Sequence, residues 1–90
     1  MSKAVVDPGE LYRFAQDLKR FNGELQEKMN ALNVRFEALG QTWRDQEQRK
    51  FAEEFEQTMR VLARFSKAAE QQVPFLLRKA ERADEYLKQR

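Results

Sequence analysis

At residues 40–45 the chain reads Gly40-Gln41-Thr42-Trp43-Arg44-Asp45, and this is the clearest helix break in the sequence. Apolar residues on both sides of it recur every three or four positions, which places them on one side of an α-helix. Before the break they are Leu11, Phe14, Leu18, Phe21, Leu25, Met29, Leu32, Phe36 and Leu39. After it they are Phe51, Phe55, Thr58, Leu62, Phe65, Ala69, Val73, Leu76, Ala80, Ala83 and Leu87. The pattern predicts an all-α fold, a two-helix antiparallel hairpin.

The predicted ends of the two helices rest on capping signals. Asp7 is suited to cap helix 1, with Pro8 at the first helical position, and helix 1 is predicted over about residues 8–39. Gly40 is expected to end it in the left-handed conformation. Helix 2 can begin after Thr42 or after Asp45, and it is predicted to run from about 45 to 88. The turn is predicted at residues 40–44, and residues 1–90 are expected to form a single helical-hairpin domain.

Composition excludes several classes of function. The 90 residues contain no cysteine and no histidine, which removes disulfides, thiolate nucleophiles, imidazole bases and the usual zinc ligands. We therefore expect that the protein is not an enzyme and that it has no catalytic, cofactor-binding or metal-binding residues. The N-terminus lacks the apolar stretch of a signal peptide and no run is long enough to span a membrane. The expected location is cytoplasmic, or secreted by a signal-peptide-independent route.

Helix 2 has more apolar surface than one neighbour can cover. Its apolar face approaches about 200°, whereas that of helix 1 spans about 80°. We therefore expect the hairpin to dimerise, either with a second copy of itself or with a paralogous hairpin. The dimer is expected to be a four-helix bundle with shallow coiled-coil winding. The residues expected to contact the second chain are Val61, Phe65, Ala68, Phe75, Leu76 and Leu77.

Helix 2 is also predicted to be the longer helix. Antiparallel pairing from the turn is expected to use up helix 1 near Pro74 and Phe75, which leaves the end of helix 2 to be covered by residues 1–7 or by a second chain. Pro74 itself removes one backbone hydrogen bond, so we expect a kink there. The proline is either simply tolerated in a long helix or a functional hinge.

The turn carries a resemblance to a known family. Trp43 lies at the turn and Phe51 follows eight residues later, and in this the chain resembles the WXG family of ESAT-like helical hairpins associated with type VII secretion. The chain departs from the family pattern at two places. Asp45 stands where the family has its turn glycine. The family's C-terminal export signal is a tyrosine followed four residues later by an acidic residue, and here Tyr86 is followed at that position by the basic Arg90. The closer likeness is a divergent subgroup with Trp-Arg-Asp at the turn. The resemblance implies a dimeric, secreted or secretion-associated adaptor, with the secretion machinery as a possible partner.

Other interpretations of the same residues stay open. Trp43 either plugs the end of the hairpin or is displayed to a partner. The basic residues Arg78, Lys79 and Arg82 could bind nucleic acid or an anionic membrane surface, although Glu81, Asp84 and Glu85 interrupt them. A third possibility is a subunit of a larger helical assembly. The remaining charges are expected to form a solvated face with pairs such as Glu56–Arg60 and Asp84–Lys88.

Overall fold

Two long helices make up the fold. A computed structural model describes residues 6–89, with α1 at Pro8–Leu39 and α2 at Gln46–Lys88. They lie antiparallel in a rod with extents of 68 × 23 × 14 Å. The predicted all-α helical hairpin is confirmed.

Each helix begins with an aspartate that caps it. The Asp7 carboxylate accepts a hydrogen bond from the backbone N–H of Gly9 at 2.8 Å, and Pro8 occupies the first turn, where its missing N–H costs nothing. The Asp45 carboxylate accepts from the backbone N–H of Gln48 at 2.9 Å. Helix α2 therefore begins after Asp45 and not after Thr42.

The end of α1 differs from the prediction. Gly40 has φ −65° and ψ −13°, which is right-handed, and no residue in the described part of the chain has a positive φ. The right-handed path continues into the turn, because the carbonyl of Leu39 accepts hydrogen bonds from the N–H groups of Thr42 and Trp43. Arg44 Nε donates to the carbonyl of Gly40 at 3.3 Å. Since these donors satisfy the last carbonyls, a left-handed reversal is not required.

The surfaces that the helices press together are narrower and less aromatic than the predicted stripes. We call them the seam. On α1 the seam includes the buried residues Pro8, Ala15 and Asn22, with half-buried leucines between them. On α2 its buried members are Met59, Ser66, Ala69, Val73 and Ala80. Small side chains at these positions let the two backbones approach closely, and the neighbouring phenylalanines are pushed to the edge.

A polar contact fixes how the two helices are aligned along their length. Asn22 Nδ2 donates to the backbone carbonyl of Ser66 at 3.1 Å, and Gln26 Nε2 donates to Ser66 Oγ at 2.8 Å. Counting equal numbers of residues back along α1 from Asn22 and forward along α2 from Ser66 brings Pro8 level with Ala80, and both are buried. The overhang of α2 therefore begins after Ala80, later than the predicted Pro74–Phe75. Residues 1–5, which were expected to help cover it, lie outside the described residues.

Helix α2 continues through its internal proline. Pro74 is an exposed residue within Gln46–Lys88, and the helix keeps its seam phase on both sides, with Val73 and Ala80 buried. The proline removes one hydrogen bond within the helix, but its exposed ring displaces no residue of the seam. A role for Pro74 as a hinge stays a prediction.

Candidate interaction surface

One side of the hairpin carries a continuous set of exposed apolar side chains, which we call the apolar face. Each member lies beside the seam on the same side of its helix, as the 100° turn per residue places it. Phe21 of α1 and Phe65 of α2 meet across it, edge to face, with ring centroids 6.1 Å apart. The apolar face consists of Phe14, Phe21, Leu32, Val61, Phe65, Ala68 and Phe75.

The exposure of this face is large for such side chains. Phe14 is 57% exposed, Phe21 52%, Val61 53% and Phe75 60%. Scattered apolar residues are normal on a protein surface, whereas a contiguous strip along two helices marks a surface that another molecule covers. The face is therefore the leading candidate for a functional site.

The turn end of the rod holds a cluster of aromatic rings. Trp43 is half-buried and its ring lies 5.8 Å from that of Phe51. Phe51 stacks on Phe55 at 5.8 Å, and Phe36 of α1 lies 4.8 Å from Phe55. Rings at these separations stabilise each other beyond simple burial. The Trp43 ring thus rests on α2 at the tip of the hairpin, in the position of a plug, while part of it stays in contact with solvent.

The residues expected to contact a second chain fall on two sides of α2. Val61, Phe65, Ala68 and Phe75 lie on the apolar face, and half-buried Leu76 borders it. Leu77 lies on the opposite edge, where it lines an open cleft of about 350 Å³ together with Lys19, Asn22, Glu70, Val73 and Pro74. As a set, these residues stay a prediction for the interface.

Two further members of the apolar face were assigned by sequence reasoning to the core. Phe14 and Phe21 belong to the predicted stripe of α1, yet both are more than half exposed. A signal for this was present: Ala15 and Asn22, the next residues along the chain, are small or polar, and they are the residues that lie buried between the helices. Small residues at seven-residue spacing locate a close helix contact.

The charged residues behave as a solvated surface. The predicted pairs are confirmed, with Arg60 to Glu56 at 3.6 Å and Lys88 to Asp84 at 3.2 Å. Within residues 6–89, no group of His, Cys, Asp or Glu is arranged to hold a metal ion. Neither described helix is both long enough and apolar enough to cross a membrane.

The basic end of α2 is exposed but mixed in charge. Arg78, Lys79 and Arg82 are all solvent-accessible, and Asp84 ties up Lys88 within the same helix. A nucleic-acid site needs basic side chains concentrated on one surface. The basic end of α2 is therefore a weaker candidate for a binding site than the apolar face.

Comparison with known proteins supports the resemblance carried by Trp43 and the hairpin. The model of the WXG100 family, described as proteins of 100 residues with WXG, matches residues 4–82. The chain belongs to the WXG100 family. No curated protein matches it. Among solved structures, the secreted protein ESXB of Bacillus anthracis strain Sterne is similar, with 28% identity, a TM-score of 0.77 and coverage of 96% of this chain and 98% of that chain.

Membership of WXG100 places the chain among secreted or secretion-associated helical hairpin proteins. The turn differs from the pattern in the family's name, because Asp45 stands where the glycine would be. In this WXG100 chain the aspartate, with an extended backbone, caps α2 through its bond to Gln48, and no described residue of the turn has a positive φ. The tryptophan keeps its place at the tip while the glycine's conformational freedom is not used.

Proposed function

We propose that this chain is a non-enzymatic protein–protein interaction module that works as a dimer of hairpins and serves as a secreted or secretion-associated adaptor. In the dimer, two hairpins pack through their apolar faces into a four-helix bundle. Export by the type VII route, without a cleaved signal peptide, fits the family. The single observation that carries the proposal is the apolar face itself.

The geometry of α1 and α2 supports a bundle. On each helix the apolar face is turned by roughly 110° from the seam, counting 100° per residue. A helix in a four-helix bundle contacts two neighbours, in directions about a right angle apart. The seam of each helix can therefore contact the other helix of its own hairpin, while its apolar face contacts a second hairpin. Leu18 and Leu25 lie between the two surfaces and would point to the centre of such a bundle.

The test is sedimentation equilibrium of single charge substitutions. Phe75→Asp is the cleaner variant, because Phe75 is 60% exposed, and Phe65→Asp is the second, since its ring also packs on Phe21. Burying an unpaired carboxylate in the interface is strongly unfavourable, so both variants should sediment as monomers. The matched control is Val34→Asp, at a residue that is 66% exposed on the outer side of α1.

Helix content by circular dichroism separates dissociation from unfolding. The proposal requires Phe75→Asp to keep its helices while losing its partner, and Val34→Asp to remain a dimer. Dimers of unchanged strength in both Phe75→Asp and Phe65→Asp would overturn the assignment of the interface to this face.

A further inference from the structure

The hairpin has a second surface on the side away from the apolar face. It is the open cleft of about 350 Å³ between the two helices, which we call the polar cleft. Pro74 of the cleft and Phe65 of the apolar face are nine residues apart, so at 100° per residue they point about 180° apart around α2. Two hairpins that pack through their apolar faces would therefore leave the polar cleft open. Its lining residues are Lys19, Asn22, Glu70, Val73, Pro74 and Leu77.

The α1 side of the cleft holds a buried acceptor that has no donor. Asn22 is 5% exposed, and its Nδ2 donates to the backbone carbonyl of Ser66 at 3.1 Å. Its Oδ1 is buried without a hydrogen-bond partner. A buried acceptor with no donor costs free energy, and nothing in the hairpin offsets that cost. A donor that enters the cleft from another molecule would complete the bond.

The α2 side of the cleft provides a second acceptor, because of its proline. In an α-helix the backbone carbonyl of Glu70 accepts a hydrogen bond from the N–H of residue 74, and Pro74 has no N–H to donate. The ring of Pro74 is exposed and lines the cleft. Each helix therefore has one acceptor without its donor, and both acceptors belong to residues of the same cleft.

The negative charge of the cleft comes from the side chain of Glu70. This carboxylate is exposed, and its Oε2 accepts a long hydrogen bond of 3.4 Å from Gln26 Nε2. The same Nε2 donates to Ser66 Oγ at 2.8 Å, so its bond to Glu70 is the weaker of the two. A carboxylate beside two acceptors that lack donors favours a ligand with a positive charge and several N–H groups.

The remaining wall of the cleft is apolar. Val73 is 8% exposed, Leu77 is half-buried, and the ring of Pro74 adds to the same wall. Such a wall suits the aliphatic stem of a long basic side chain. The guanidinium of arginine carries five N–H donors in a planar fork, whereas the ammonium of lysine is a compact and strongly hydrated charge with three. Two carboxylate oxygens and two further acceptors match the guanidinium better.

We propose that the polar cleft is a docking site for an arginine side chain of a partner protein. The guanidinium donates to the carboxylate and the backbone carbonyl of Glu70 and to Asn22 Oδ1, and its stem packs on Val73 and Leu77. The inference goes beyond the proposed function, because it gives the hairpin a contact surface that the dimer does not use. A symmetric dimer would carry two such clefts, one on each hairpin.

Lys19, on the rim of the cleft, acts against a positively charged ligand. Its side chain is exposed, and its long stem lets the ammonium turn toward solvent when a ligand enters. Lys19→Met keeps a long apolar stem and removes the repulsion. This variant should therefore bind an arginine side chain more tightly than the wild type does.

The probes for the test are blocked tripeptides that differ at one residue. They are acetyl-Ala-Arg-Ala-amide and its analogues with lysine or citrulline at the centre; citrulline has nearly the shape of arginine without the charge. Nuclear magnetic resonance of the whole chain follows the backbone amides. At about 10 mM, ten times a dissociation constant of about 1 mM, the arginine peptide should shift the amides of Asn22 and Glu70. The lysine peptide should bind at least about threefold more weakly, and the citrulline peptide should leave these amides unshifted.

Variants of the chain test each contact. Glu70→Gln removes the charge and Asn22→Leu removes the buried acceptor, and each should raise the dissociation constant of the arginine peptide about fivefold or more, with helix content retained. Pro74→Ala supplies the missing N–H to the Glu70 carbonyl and leaves every charge in place, so it should still weaken binding about threefold. Glu54→Gln, the same change at an exposed acid outside the cleft, is the matched control and should leave binding unchanged.

Several outcomes would overturn the proposal. They are an arginine peptide that shifts no amide of the cleft, arginine and lysine peptides that bind equally, and equal losses of affinity in Glu70→Gln and Glu54→Gln. The last would show attraction to negative charge in general. Phe65→Asp separates this site from the dimer: the variant should sediment as a monomer and still bind the arginine peptide, because Phe65 lies on the other side of α2.

Discussion

Asn22 is a buried polar residue at a position where a leucine would serve the hairpin better. It is 5% exposed, its Nδ2 donates to the backbone carbonyl of Ser66 at 3.1 Å, and its Oδ1 is buried without a hydrogen-bond partner. The Ser66 carbonyl lies inside α2, so it keeps its helical partner when Asn22 is replaced. Asn22→Leu therefore removes an unsatisfied acceptor without leaving a new one behind.

The magnitude follows from three contributions. Losing the bond costs about 0.5 to 1.5 kcal/mol, and relieving the unsatisfied acceptor returns about 1 to 3 kcal/mol. Burying the leucine adds about 1.5 to 3 kcal/mol before imperfect packing is subtracted. Asn22 borders an open cleft, so the larger side chain can extend toward Val73 and Leu77. We expect Asn22→Leu to be more stable than the wild type by about 1 to 3 kcal/mol.

Urea unfolding followed by circular dichroism measures this difference, at one fixed protein concentration because association adds to apparent stability. Asn30→Leu is the matched control, since Asn30 is exposed on the same helix and its replacement should change stability by less than about 0.5 kcal/mol. A loss of more than about 1 kcal/mol in Asn22→Leu, with Asn30→Leu unchanged, would refute the reasoning.

Two further predictions concern the helix start and the seam. Asp45→Ala removes the acceptor for the N–H of Gln48 and should destabilise the hairpin by about 1 kcal/mol. Calorimetry should show this as a fall in Tm of about 4 to 8 °C. An unchanged Tm would contradict the capping role. Ala69→Leu forces a larger side chain into a position that is 1% exposed and should cost about 1 to 3 kcal/mol in urea unfolding. Exposed Ala63→Leu should change little, and equal effects at the two sites would show that the seam is not closely packed.

The sequence was sufficient for the fold because its signals are local and agree with one another. Asp7 and Asp45 accept hydrogen bonds from residues two or three positions away, and Pro8 acts through its own fixed φ. The three-four spacing needs only the geometry of one helix. The prediction of a left-handed Gly40 was wrong because the carbonyl of Leu39 accepts hydrogen bonds from the N–H groups of Thr42 and Trp43. Those two bonds depend on the path of the turn, which the capping signals do not specify.

The division of apolar residues between seam and surface could not be taken from hydrophobicity alone. The predicted stripe ran midway between two surfaces, the seam within the hairpin and the apolar face beside it, because Phe14 and Phe21 outweigh Ala15 and Asn22 in any average. Which of the two surfaces closes first depends on how near the backbones can approach. That is a property of the pair of helices, and neither helix specifies it alone.

The mass of the wild-type chain in solution tests the central claim most directly. Light scattering coupled to gel filtration, over micromolar to millimolar concentrations, should give twice the chain mass of 10.8 kDa, with dissociation on dilution if the dimer is weak. A particle of 10.8 kDa at every concentration would contradict the account, because the apolar face would then remain open to water.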